Sequence, residues 1–125
     1  PKQVRGLCKA FMKRFSDIAL TLHFHNTRGM GLVNVLEAVA EGVVRFDGSL
    51  GGLGGCPYAP GATGNVCTED MVHMLELNGF DTGVNLPALL DCSRRLPFLC
   101  GHDTPGQVVK AGQRLDRSPR ECATQ

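Results

Sequence analysis

The chain has 125 residues, 42% of them apolar and 20% charged, with a net charge of +1, the composition of an ordinary globular protein and not of a disordered or fibrous one. That near-neutral balance gives no reason to expect a nucleic-acid or membrane partner, and Arg, Asp, His or Gly breaks every apolar run before it reaches a bilayer-spanning length. The length suits one small domain or a piece of a larger one.

Pro1 leads straight into a helix-like pattern, with no charged and apolar leader ahead of it, so no signal peptide is expected. The missing initiator Met points to a fragment or a processed chain. Val4, Leu7, Cys8 and Phe11 recur at helical spacing and predict an amphipathic helix over residues 2–14. Residues 18–25 read as a buried strand, with Ile18, Leu20 and Leu22 on one face and Ala19, Thr21, His23 and His25 on the other. Asn26 and Thr27 are suited to capping a second helix, whose stripe is Leu32, Val35, Leu36 and Val39 and whose stop is Gly42.

Residues 43–50 predict a second strand, one βα unit after the first, the spacing of parallel strands joined by a crossover helix. A glycine-rich loop follows to Gly64, and Val66 is a candidate for a short third strand. Thr68, Glu69 and Asp70 open another helix as a cap and two acids suited to its dipole, and Gly79 ends it. Asn85 or the Leu86-Pro87 step starts a fourth helix that fades near Leu96-Pro97, and the remainder reads as an irregular tail.

Alternation of this kind places the chain in the α/β class with parallel strands. Two or three such strands cannot close a barrel, and a sheet so narrow leaves both edges bare. A (β/α)₈ TIM barrel takes about 250 residues. The expected architecture is therefore an incomplete barrel, its C-terminal part, with residues 1–100 supplying barrel elements and residues 101–125 an irregular tail.

Six cysteines occur, at positions 8, 56, 67, 92, 100 and 122, with no C-x-x-C pair among them. Long helical patterns without a secretory signal favour free thiols in a reducing cytoplasm over three disulfides. Cys56 stands apart because it lies inside the glycine-rich loop.

His23-x-His25 sits at the C-terminal end of the first strand, where (β/α)₈ enzymes build their active sites. Alternate strand residues share a face, so both imidazoles can converge on one ion. Taken alone, the pair fits equally well as ordinary polar residues at a strand end. Gly51, Gly52, Gly54 and Gly55 remove side chains just after the second strand, which lets a backbone approach a ligand or move as a lid. A plain surface loop would show the same glycines, but not the lone Cys56 and the amide of Asn65 that follow them.

Three segments, Leu22-His-Phe-His-Asn-Thr-Arg-Gly29, Phe46-Asp-Gly-Ser-Leu-Gly-Gly-Leu-Gly-Gly-Cys-Pro-Tyr-Ala-Pro-Gly-Ala-Thr-Gly-Asn65 and Thr68-Glu-Asp70, resemble the 3-hydroxy-3-methylglutaryl-CoA lyase family. The resemblance runs to about residue 115, and Gly101-His-Asp-Thr-Pro-Gly-Gln107 is similar to bacterial members. H-x-H is shared across the wider metallolyase superfamily, including isopropylmalate and homocitrate synthases, whereas Gly-Gly-Cys-Pro-Tyr is far more specific to the lyase.

The resemblance implies that His23, His25 and Asn65 bind one divalent cation, Mg²⁺ or Mn²⁺, with an aspartate near the first barrel strand. Nitrogen and oxygen ligands without thiolate suit such an ion better than a structural zinc. It further implies cleavage of 3-hydroxy-3-methylglutaryl-CoA into acetyl-CoA and acetoacetate, a step of leucine degradation, with proton transfer by His23 and Cys56. A metal-bound ring nitrogen cannot shuttle a proton, so only the other nitrogen of His23 is open to that role. Cys56 is the better acid, because a mobile loop can bring a thiol over an enolate.

Asn26 stands where the family usually has aspartate, keeping a helix cap but losing a negative charge. Cys67 replaces a usual alanine and reads as small packing filler. His73 and His102 read as solvated or structural, and Asp47 and Ser49 either face the site or satisfy strand-end hydrogen bonds. The family's Arg-Asp pair and Gly-Asp-Thr motif do not occur, so this chain by itself is expected to lack useful catalysis. Other readings are a lyase for a longer-chain 3-hydroxyglutaryl-CoA analogue, or a non-catalytic remnant that binds metal or a partner subunit. A Claisen-type synthase is disfavoured by Cys56 in its loop. Expected partners are an acyl-CoA substrate and, for a full-length enzyme, room for a homo-oligomer.

Overall fold

In the computed structural model, which describes residues 1–55 and 64–114, the first apolar stripe forms helix α1, Lys2–Arg14. Val4, Cys8 and Met12 project from one side of it onto Ala38, Val43, Leu20, Leu22 and Phe46. Arg5 Nε lies 2.6 Å from Glu37 of the next helix, an exposed ion pair that adds little to the apolar contact.

Strand β1, Thr21–His23, pairs in parallel with strand β2, Arg45–Asp47, in the register Thr21 to Arg45, Leu22 to Phe46 and His23 to Asp47. Helix α2, Gly31–Ala40, makes the crossover between them. Both strands are shorter than the extended runs in the sequence, covering three residues each. The two faces differ as period-two alternation requires: Leu22 and Phe46 pack on the helices, while Thr21, His23, Arg45 and Asp47 are exposed.

Asn26 does not occupy the cap position of α2, which falls to Met30. Its side chain nevertheless caps the helix from a distance, as Oδ1 accepts the Gly31 N–H at 2.9 Å. Only glycine fits at position 31, since a Cβ there would lie 2.4 Å from Val66 Cγ2.

Val66 forms no full strand. Its N–H donates to Phe24 O at 2.9 Å and its carbonyl accepts from Ser49 N at 3.0 Å, so it bridges the C-terminal ends of β1 and β2. Val35, Val66 and Met71 form the buried centre beneath this bridge. Helix α3, Thr68–Leu77, follows, and its N-cap is Cys67 in place of the expected Thr68. Helix α4, Leu86–Ser93, starts at Asn85, whose Oδ1 accepts from Ala88 N at 3.0 Å. Leu86 and Leu90 of α4 pack on Val72 of α3.

A short helix α5, Leu96–Cys100, continues the chain. Beyond it, residues 101–107 return to the site and lead into one turn, α6, Val108–Ala111; residues 115–125 of the expected tail lie outside the described residues. Val108 and Val109 join the cluster between α3 and α4. Among the described residues no helix is long and apolar enough to cross a membrane.

Cys8, Cys67, Cys92 and Cys100 are free thiols, the first two buried and the last two exposed; Cys56 and Cys122 lie outside the described residues. Burial pushes the Cys8 thiol up, with the nearby Glu41 charge adding to it. Cys67 is pushed up further by burial and by its hydrogen bond to Glu69. A raised thiol pKa leaves less thiolate at neutral pH. An alkylating reagent should therefore modify Cys92 and Cys100 in the native protein, and Cys8 and Cys67 only after denaturation. Peptide mass mapping that finds Cys67 alkylated as fast as Cys92 would contradict this packing.

Candidate functional site

The register of the two strands brings the chemistry to one end of the sheet. His23 ends β1, and Asp47 ends β2 directly opposite it. Equal register on parallel strands puts both side chains on one face, and His23 Nδ1 is hydrogen-bonded to Asp47 Oδ1. His25, two residues on, projects the same way, its ring centroid 5.2 Å from that of His23 in an edge-to-face arrangement. An isolated bridge pairs His25 with Asn65. His23, His25 and Asn65 thus lie together at the C-terminal ends of the strands.

Asn65 is oriented by the glycine loop. Its Nδ2 donates to Leu53 O at 2.9 Å, which commits the amide nitrogen and leaves Oδ1 as the metal-capable atom. The bond with Asp47 similarly leaves Nε2 of His23 facing away from the carboxylate. Two imidazoles and an amide oxygen are a donor set that suits a hard or borderline divalent cation with vacant positions. Among the described residues no three His, Cys, Asp or Glu side chains cluster in a metal-holding arrangement. The third donor here is an amide, and the aspartate implied by the resemblance has no counterpart in this chain.

The stem of the loop is built from close backbone approach. A Cβ on Gly64 would lie 2.1 Å from Gly52 O and 2.2 Å from Gly54 O, so the outgoing and returning strands of the loop touch at a point only glycine allows. Gly51 has φ +67°, a left-handed conformation that other residues rarely adopt. Cys56 lies outside the described residues, beyond this stem.

Two residues that the sequence marked only as helix-dipole acids hold the stem in place. Glu69 is completely buried. Its carboxylate accepts the Gly51 N–H at 3.0 and 2.9 Å, the Cys67 thiol at 3.0 Å and the Ser93 hydroxyl of α4. Asp70 accepts from Gln107 N at 2.9 Å and Val108 N at 2.7 Å, anchoring the start of α6. Gly106 N then donates to Gly51 O at 3.1 Å. Gly51 is thereby clamped through both of its backbone groups, by α3 on one side and by the returning segment on the other. The adjacency of Glu69 and Asp70 just after the loop was the available signal, and helix-start acids are too common for it to reveal burial.

Asp47 faces the site, whereas Ser49 satisfies strand-end bonds through its backbone, accepting from Thr68 N at 3.0 Å. His102 is exposed, with Nδ1 2.8 Å from Asp103 O. Cys67 is buried as expected of a small filler, and its thiol bond to Glu69 adds a polar tie.

A family profile described as HMGL-like matches residues 1–96. The (R)-citramalyl-CoA lyase of Chloroflexus aurantiacus is 45% identical over 112 residues, covering 90% of this chain and 35% of that protein. A hydroxymethylglutaryl-CoA lyase of Bacillus subtilis is 45% identical over 110 residues, covering 88% of this chain and 37% of that protein. Among solved structures, an HMG-CoA lyase from Acinetobacter baumannii in complex with coenzyme A and 3-methylmalate superposes with a TM-score of 0.89 at 55% identity. That match covers 95% of this chain and 39% of the longer one. The chain spans little more than a third of the length of the relatives it matches.

Proposed function

Because the chain belongs to the HMGL-like family, whose fold is the (β/α)₈ barrel, we propose that it carries part of the active site of a carbon–carbon lyase acting on 3-hydroxy-3-methylglutaryl-CoA. The single observation that supports this reading best is the convergence of His23, His25 and Asn65 at the strand ends, beside the stem of the Gly-Gly-Cys-Pro-Tyr loop. The complete reaction belongs to a longer protein in which other segments close the barrel over the exposed faces of β1 and β2. We place it in the cytoplasm, the reducing compartment that free thiols suit.

Nε2 of His23, an imidazole nitrogen of His25 and Oδ1 of Asn65 would hold a divalent cation, Mg²⁺ or Mn²⁺. Such a cation, when bound, supplies Lewis-acid stabilisation of the substrate's 3-hydroxyl oxygen as it becomes an alkoxide. The residues of this chain do the rest of what falls to it. Leu53 O holds the Asn65 amide in orientation, and the clamped Gly51 fixes where the loop departs. A base removes the hydroxyl proton, the C2–C3 bond breaks to release acetoacetate, and the Cys56 thiol donates a proton to the acetyl-CoA enolate that remains. With one nitrogen on the cation, any proton that His23 handles passes through Nδ1, on the side of Asp47.

Identity is 45% to a citramalyl-CoA lyase, 45% to a hydroxymethylglutaryl-CoA lyase and 40% to a Pseudomonas aeruginosa lyase named for both isohexenylglutaryl- and methylglutaryl-CoA. The segment aligned with all three holds the proposed metal ligands and loop, which serve a bond cleavage common to these thioesters. Replacing His25 with alanine should weaken Mn²⁺ binding in the full-length protein. An unchanged Mn²⁺ titration would remove His25 from the ligand set, and with it the metal reading of this end of the sheet.

A further inference from the structure

We infer that Asp47 is a positioning residue for the lyase reaction, holding Nδ1–H of His23 so that Nε2 is the ring nitrogen offered to the cation. The inference rests on the metal reading above and deepens it. Three observations carry it. The strand register places Asp47 opposite His23, with no intervening residue. Its Oδ1 is bonded to Nδ1 of that ring, while His25 has no carboxylate of its own in the described salt bridges. Finally, Asp47 ends a strand whose backbone is tied down at its next turn, since Ser49 N donates to Val66 O at 3.0 Å and Ser49 O accepts from Thr68 N at 3.0 Å.

An imidazole has two nitrogens, and a ligating ring must present the unprotonated one. A carboxylate on Nδ1 favours the proton there and fixes the ring plane. The pair is half exposed in this chain, with the His23 and Asp47 side chains 46% and 58% accessible, so an alternative rotamer of His23 has room. Without Asp47 the ring would sample both tautomers and several orientations, and only one of these is competent to bind. Asp47 therefore acts through His23 and does not touch the reacting atoms.

The test uses the full-length protein that carries this chain, with Asp47→Ala and Asp47→Asn variants and Mn²⁺ alone as probe, followed by the electron paramagnetic resonance of free Mn²⁺. Asp47→Ala should raise the Mn²⁺ dissociation constant by roughly 10–100-fold, the usual cost of losing such a partner. Asp47→Asn, which keeps an acceptor oxygen without the charge, should recover part of it. In the metal-free wild type, ¹⁵N spectra of the histidines should show His23 protonated on Nδ1, and Asp47→Ala should lose that preference. This readout stands even if alanine perturbs folding, because Asp47→Asn is nearly isosteric. A native-like Mn²⁺ affinity in Asp47→Ala, or an Nε2-protonated His23 in the wild type, overturns the inference. Loss of binding as complete as in His25→Ala also overturns it, by making Asp47 a ligand. A wild type that binds no Mn²⁺ sinks the metal reading itself, which the variant comparison would not.

Discussion

Cys56→Ser in the full-length protein is expected to lower turnover by about 10²- to 10⁴-fold, the usual contribution of one positioned acid or base, while Mn²⁺ affinity stays unchanged. The stem of the glycine loop is held close to the proposed metal donors. Leu53 is tied to Asn65 by a 2.9 Å hydrogen bond, and Gly64 is pressed against the carbonyls of Gly52 and Gly54. Cys56 follows Leu53 by three residues, so its Cα stays within about 11 Å of Leu53 however the loop is arranged. In the proposed reaction Cys56 acts as the acid and is not one of the metal donors. Serine conserves the shape but is a far weaker acid, so an enolate waiting beneath it would be protonated slowly. Steady-state kinetics at saturating Mn²⁺ measures the effect. Near-normal turnover would take the acid role away from Cys56.

The second large effect is on stability. Glu69→Ala removes the shared acceptor of the Gly51 N–H, the Ser93 hydroxyl and the Cys67 thiol, leaving these donors in a site from which water is excluded. A buried donor without a partner costs about 1–3 kcal/mol. The Gly51 N–H and Ser93 hydroxyl together imply a loss of about 2–6 kcal/mol, read as a lower urea midpoint. The same change releases one of the two clamps on Gly51, so turnover should fall as well. Glu69→Gln keeps a carbonyl oxygen for one or two of the donors and should fall between wild type and alanine. A stability loss no greater than the roughly 0.5 kcal/mol of an ordinary surface substitution would show that Glu69 is not the hub of this network.

The class of fold was legible in the sequence alone. Helical spacing of Val4, Cys8 and Phe11 and of Leu32, Val35 and Val39 placed α1 and α2, and two apolar runs one βα unit apart placed parallel strands. Such patterns are legible because local periodicity is set by backbone geometry, which does not depend on distant residues. His23, His25 and Asn65 were singled out together for a different reason, since their motifs carry a family resemblance that spacing alone could not. Partnership between side chains came from the folded chain. Asp47 had two readings in the sequence, and the strand register chose between them by setting it against Nδ1 of His23. Glu69 and Asp70 read as acids suited to a helix start, because no local pattern reveals that a segment some 37 residues further on will fold back and donate its amides to one of them. The same return braces the glycine loop through the bond from Gly106 N to Gly51 O. Burial of a carboxylate is stable only where enough donors converge on it, and convergence of donors from 51, 67 and 93 is a property of the folded chain alone.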